Sequence, residues 1–135
     1  MNNFNFDEGY KEYTINNNPN RVIRFNPTDV GIIERFSVSS KALEEITTKI
    51  NEDESDTAVL AMLDAEIKKQ IDFIFNQPVS DVVFGAQSPM APVGGKMLFE
   101  CFLEAVLPEI KANIEREKKE SVERVGKYVK AAQKH

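Results

Sequence analysis

The sequence predicts a mainly α-helical chain: an N-terminal β-hairpin, then a helical bundle of three main helices, then a charged C-terminal helical tail. Three observations carry this reading. Two short β-favouring runs flank the Asn-rich turn Asn16–Asn20, apolar residues then recur at helical spacing over three long stretches, and past Lys119 the apolar stripe narrows on an otherwise charged segment. Residues 1–118 are expected to form a single mostly helical domain with its hairpin at 10–25, and residues 119–135 a charged amphipathic tail.

The first nine residues mix Asn, Phe and acids without period and read as a loose arm on which Phe4 and Phe6 are free to dock. Tyr10–Ile15 and Arg21–Phe25 favour extended structure. Between them, Asn residues tolerate left-handed backbone and Pro19 presets a turn. A lone hairpin is marginal in water, so this one is expected to pack on a helix or pair across a subunit interface. The chain then changes character: Asn26 is placed to cap, Pro27 to occupy the first helical position, and Asp29 to set a negative charge against the positive end of the helix dipole.

From Pro27 the positions Ile32, Phe36, Leu43, Ile46 and Ile50 define one helical face, widened by Val30 and Ile33. Its weak point is Ser37-Val-Ser-Ser40, four poor helix formers able to bend or split it. Asn51–Asp56 ends this helix, with Ser55 or Asp56 available to cap the next. Helix two is expected from Thr57 to Phe75, with Leu60, Leu63, Ile67, Ile71 and Ile74 inward and Asp64, Lys68, Lys69 and Asp72 on a solvated face.

The stretch 76–95 is too rich in Pro and Gly for a long helix. Within it Ser80–Gly85 reads as one capped helical turn in preference to a short strand, set to join the helices to the last one through Val82, Val83 and Phe84. Lys96–Lys119 is strongly helical but carries Pro108, which predicts a kink or a restart. Beyond it Val122, Val125, Val129 and Ala132, spaced three, four and three, suit a partner helix or a fold back onto the body.

Composition excludes several function classes. The 135 residues suit one domain, and the net charge of −5 divides into −9 over residues 1–110 and +4 over 111–135. An acidic body with glutamates interrupting the basic run (Glu115, Glu117, Glu120, Glu123) argues against nucleic-acid binding, where phosphates want clustered cations. No apolar run approaches a membrane span and the N-terminus has no signal-peptide pattern, so a cytoplasmic protein is expected, with no membrane partner. The single Cys101 reads as a small buried hydrophobe.

No catalytic or cofactor-binding pattern emerges, and an enzyme is not expected. The only histidine is the terminal His135, and no Cys/His cluster suggests a metal. Gly94-Gly95-Lys96 lacks the upstream Gly and following Ser or Thr of a phosphate loop, and reads as a flexible lead into the last helix. Glu52–Asp56 lacks the Gly and bidentate Glu of a calcium loop. Arg21, Arg24 and Arg35 read as structural, with Arg21 and Arg24 on opposite strand faces pairing with acids. What remains is apolar surface, and the stripe Val122, Val125, Val129 on the charged tail is the candidate partner-binding site.

One stretch resembles a known family. Ile15, the Asn16-Asn-Asn-Pro-Asn20 turn and Arg21-Val-Ile-Arg-Phe-Asn-Pro-Thr-Asp29, continuing to Glu34-Arg-Phe36, with a weaker echo at Val83–Pro89, resemble small proteins from the tail gene regions of phages and prophages of Gram-positive bacteria. Such proteins look like tail assembly chaperones. The resemblance implies a non-enzymatic protein that binds and shields the helical tape measure protein before tail polymerisation and then leaves, with homo-oligomerisation as a further expectation. The chain departs from the family's look at Ser37–Ser40, where a more helical, aromatic-containing run is expected. A small self-assembling virion or scaffold protein is the alternative.

Overall fold

The computed structural model describes residues 1–51 and 55–133. An antiparallel hairpin, β1 (Lys11–Ile15) and β2 (Asn18–Phe25), leads into α1 (Val30–Asn51), α2 (Thr57–Phe75), the single turn α3 (Ser80–Phe84), a miniature hairpin β3 (Pro92–Val93) and β4 (Lys96–Met97), and the 36-residue α4 (Leu98–Gln133). This is the expected mainly helical architecture. The residues Glu52–Glu54 of the acidic stretch, and His135, lie outside the described residues.

The N-terminal hairpin turns more tightly than expected. Asn16 and Asn17, at φ 50° and 60°, make a two-residue turn whose left-handed backbone Asn tolerates, and Pro19 instead falls in β2, where the register jumps from Thr14↔Val22 to Ile15↔Asn18. A proline without a donor is accommodated at such an irregularity. Alternation then sorts the faces: Ile23 and Phe25 are buried while Val22 and Arg24 are exposed. The arm ahead of the hairpin is tied at its base by Asn26, whose amide donates to the Glu8 carbonyl (3.1 Å), but Phe4 and Phe6 stay exposed rather than docking.

Asp29, not Asn26, caps α1. Its carboxylate accepts from Gly31 N (2.8 Å), whereas Asn26 holds the preceding turn by accepting from Thr28 N (2.9 Å) and Thr28 Oγ1 (2.7 Å). The helix therefore begins at Val30, one turn later than expected, with Pro27 buried beneath the turn and Val30 exposed rather than part of the inner stripe. The serine run does not split α1, which stays helical from Val30 to Asn51. Ser39 lies in phase with Ile32, Phe36, Leu43 and Ile46 on the packed face and is itself buried, so tertiary packing outweighs weak local propensity.

α2 spans the expected residues, capped by Asp56 accepting from Ala58 N and closed by Asn76 in left-handed conformation, with Gln77 N bonding back to the Asp72 carbonyl (3.1 Å). Its supposed solvated face is partly in use. Asp64 pairs with Lys68 four residues on (3.3 Å) and also accepts from Ser88 Oγ, while Asp72 accepts from Val79 N (2.9 Å), Ser80 N (2.7 Å) and Ser80 Oγ (3.1 Å). Two acids of α2 thereby hold the Pro-rich segment in place.

The three arginines are structural, though Arg21 and Arg24 meet backbone carbonyls and a ring rather than the acids expected. Arg21 donates to the carbonyls of Val82 (3.0 Å) and Val83, Arg35 donates to the Ile74 carbonyl (2.9 Å) and faces Asp29 (3.4 Å), and Arg24 lies over the Tyr10 ring at 4.2 Å. Two cations thus meet terminal carbonyls of α3 and α2, the negative ends of those helices.

Gly94 and Gly95, at φ 60° and 83°, form the β3–β4 turn instead of a flexible lead, so α4 begins at Leu98 and not Lys96. Its first amides are met by the loop: Leu98 N donates to the Ala91 carbonyl (2.9 Å), Phe99 N to that of Pro89 (3.0 Å), and Glu100 reaches back to Met97 N (3.1 Å). Pro108 does not restart the helix. It sits on the exposed side, where the acceptor it leaves unmatched one turn back faces water. The core gathers Ile67, Ile71, Ile74 and Phe75 of α2 with Phe99, Leu103, Leu107 and Ile110 of α4, and a run of rings, Tyr13–Phe25–Phe75–Phe102–Phe84, at centroid spacings of 4.9 to 6.3 Å, links the hairpin, α2, α4 and α3.

Candidate interaction surface

The tail is helical for local reasons. Ala, Glu, Lys and Arg dominate it, and the acid-first spacings Glu115/Lys119, Glu120/Arg124 and Glu123/Lys127 each favour the helix by a few tenths of a kcal/mol. Burial stops at Ile114, just after Asn113, which accepts from the Arg116 guanidinium. From Glu115 to Gln133, a length of ~28 Å, the helix runs beyond the packed body.

The predicted partner-binding residues fall together on this free segment. Val122, Val125 and Val129 are 71%, 55% and 49% exposed, so they do not fold back onto the body. Gly126 lies within the same stripe, and a side chain added there would meet only open space. A glycine inside a helix costs about 1 kcal/mol against alanine, which nothing within this chain offsets. Lys and Arg outnumber Glu over this segment, so the tail helix is cationic as a whole, with Lys118 on the side of the stripe and Arg124 and Lys127 on the far face.

Two grooves on the body were not legible in the sequence. One, of about 290 Å³, lies between the hairpin and the first turns of α4 and is lined by Tyr13, Ile15, Phe84, Phe102 and Val106, with Cys101 and Glu109 at its side. Cys101 is half-buried there rather than enclosed. Burial in this groove and the nearby Glu109 carboxylate push the Tyr13 phenol above its ordinary value of 10.0. The second groove, of similar volume, separates α1 from α4: Phe36, Leu43, Phe99 and Leu103 make its floor, and Glu44 and Glu100 its acidic margin. Helical periodicity identified the α1 and α4 faces as inward, but how far the elements splay depends on tertiary packing.

Among the described residues no group of His, Cys, Asp or Glu is arranged to hold a metal ion, and no helix is long and apolar enough to cross a membrane. Comparison with protein-family models, with curated proteins and with solved structures finds no match. The arrangement offers apolar recognition surface: a free cationic helix and an apolar, acid-edged groove.

Proposed function

We propose that the protein is a non-enzymatic tail assembly chaperone of a phage or prophage, acting in the cytoplasm of its bacterial host and holding the helical tape measure protein until the tail polymerises. The motif resemblance over residues 15–36 motivates the class, and the unpartnered stripe Val122, Val125, Val129 carries the reading. A client helix laid along that stripe buries three valines, each contributing about 1.5 kcal/mol or more when fully covered, before the costs of association are subtracted. Such a contact is weak enough to release, and release is what an assembly chaperone requires.

The test is a pull-down of the tagged full chain from lysate of its own host, with proteins identified by mass spectrometry, beside a Val122→Asp/Val125→Asp/Val129→Asp variant. Recovery of a long helix-rich protein by the wild type alone supports the proposal. Recovery of only itself by both versions, together with its presence in purified particles, favours the self-assembling structural subunit instead.

A further inference from the structure

We infer that the groove between the hairpin and α4 receives one large apolar side chain of a partner polypeptide that carries Lys or Arg beside it, with Glu109 accepting that cation. The groove exists because the hairpin hangs from other elements. Arg21 holds it to the α3 carbonyls and Gln77 Nε2 donates to the Arg24 carbonyl (2.6 Å), while Tyr13 stacks on Phe25 at 4.9 Å within the hairpin itself. On the facing side α4 presents Cys101 and Ala105, two small residues four apart, which leave the half-buried Phe102 and Val106 beside them uncovered.

Size and charge define the occupant. At about 290 Å³ the groove lies at the low end of ligand pockets, roughly 300–1,000 Å³, which suits a single anchoring side chain better than a whole ligand. Among the described residues Glu109 is the only charged group lining it, and it makes no hydrogen bond or ion pair. Its neighbours three and four positions away on α4, Ala105, Val106, Ala112 and Asn113, offer no cation. Other exposed or half-buried acids are matched, Glu104 by Lys96 at 2.7 Å and Asp64 by Lys68 at 3.3 Å. Glu109 therefore sets an unbalanced negative charge at the groove, one already felt by the Tyr13 phenol. An apolar anchor with a neighbouring cation satisfies both parts, and the same carboxylate rejects an acidic segment. The site is separate from the valine stripe: on α4 the row Cys101, Ala105, Glu109 points more than about 90° away from Val122, Val125 and Val129, so a client on the stripe leaves the groove open.

The test titrates purified full-length protein with capped pentapeptides: acetyl-Phe-Ala-Ala-Ala-Lys-amide, the same peptide ending in Glu, and the same peptide with Ala in place of Phe. No client is involved, so failure here leaves the client proposal standing, and loss of client capture leaves this site standing. By amide shift titration the Lys peptide should bind with a Kd below about 10 mM, about fivefold tighter than either control. It should also slow iodoacetamide alkylation of Cys101, the chain's single cysteine. Glu109→Gln should bring the Lys and Glu peptides to within about twofold of each other, and Ala105→Phe should abolish binding by filling the groove. Both variants should keep the wild-type circular dichroism, the two positions being exposed. No shifts at about 10 mM peptide, equal affinity for the Lys and Glu peptides, a Lys preference that survives Glu109→Gln, or full binding by Ala105→Phe would each overturn the inference. The peptide-free protein reads out two other occupants. Cys101 alkylation that slows as protein concentration rises assigns the groove to a second copy, and alkylation that speeds up in Phe4→Ser/Phe6→Ser assigns it to the chain's own arm; either result overturns the inference as well.

Discussion

The two halves of α4 carry similar amphipathic patterns and meet opposite fates. From Leu98 to Ile114 the helix buries Phe99, Leu103, Leu107, Ile110 and Ile114 against the body; from Glu115 to Gln133 it shows Val122, Val125 and Val129 to solvent. The front stripe uses large side chains in a broad band, and the rear stripe uses valines in a narrow one. Periodicity tells which face of a helix is apolar, and only the rest of the chain tells whether that face has anything to lie against. The front half is therefore structure, and the rear half is available surface.

That contrast can be broken at several points. In the front half, Ile110→Ala opens space at a buried position and should cost about 2–5 kcal/mol of stability, read from urea unfolding. Asp72→Ala, which strands the Ser80 amide and hydroxyl and leaves the Val79 amide only its bond to the Gln77 carbonyl, should cost about 1–3 kcal/mol in the same measurement by loosening the segment that receives α4. In the rear half, Gly126→Ala should raise local helix stability by about 1 kcal/mol, seen as slower amide exchange around residue 126. The triple Val→Asp change should shift urea unfolding by no more than about 0.5 kcal/mol while abolishing client capture. Smallest is the alkaline effect at Tyr13. Its raised pKa means the neutral phenol is favoured in the folded state, so its contribution is fully present below pH 10 and is lost as the pH rises through the folded value. Tyr13→Phe should remove that part of the alkaline loss, measured by thermal unfolding across the range.

Much of the fold was readable because its signals are local. The bounds of α2 followed from an apolar stripe with a capping acid at one end and a Pro- and Gly-rich stretch at the other, and the helical turn at Ser80–Phe84 followed from its terminal Gly. The misreadings share a cause, competition between equivalent local signals. Asn26 and Asp29 both have capping chemistry, and burial of Pro27 decided for Asp29; Ser37–Ser40 has poor propensity, and burial of Ser39 decided for helix. Asp64 and Asp72 looked solvated because their partners, Ser88 and Ser80, lie on a segment whose path depends on the whole fold. Of the candidate site, the valine stripe was visible in its spacing, whereas the groove between α1 and α4 belongs to no single stretch of sequence.

The unbroken passage of α4 from body to tail also bears on how the tail melts. A separate peptide of that length would have to nucleate its own first turn, an unfavourable step, but here the turn before Glu115 is already formed and held by Ile110 and Ile114. Loss of order should therefore begin at the far end and move inward residue by residue, as a zipper opens from its loose end. On heating, the helical signal should slope downward well before the cooperative transition of the body, and amide protection should fall off steadily from Ile114 toward Gln133.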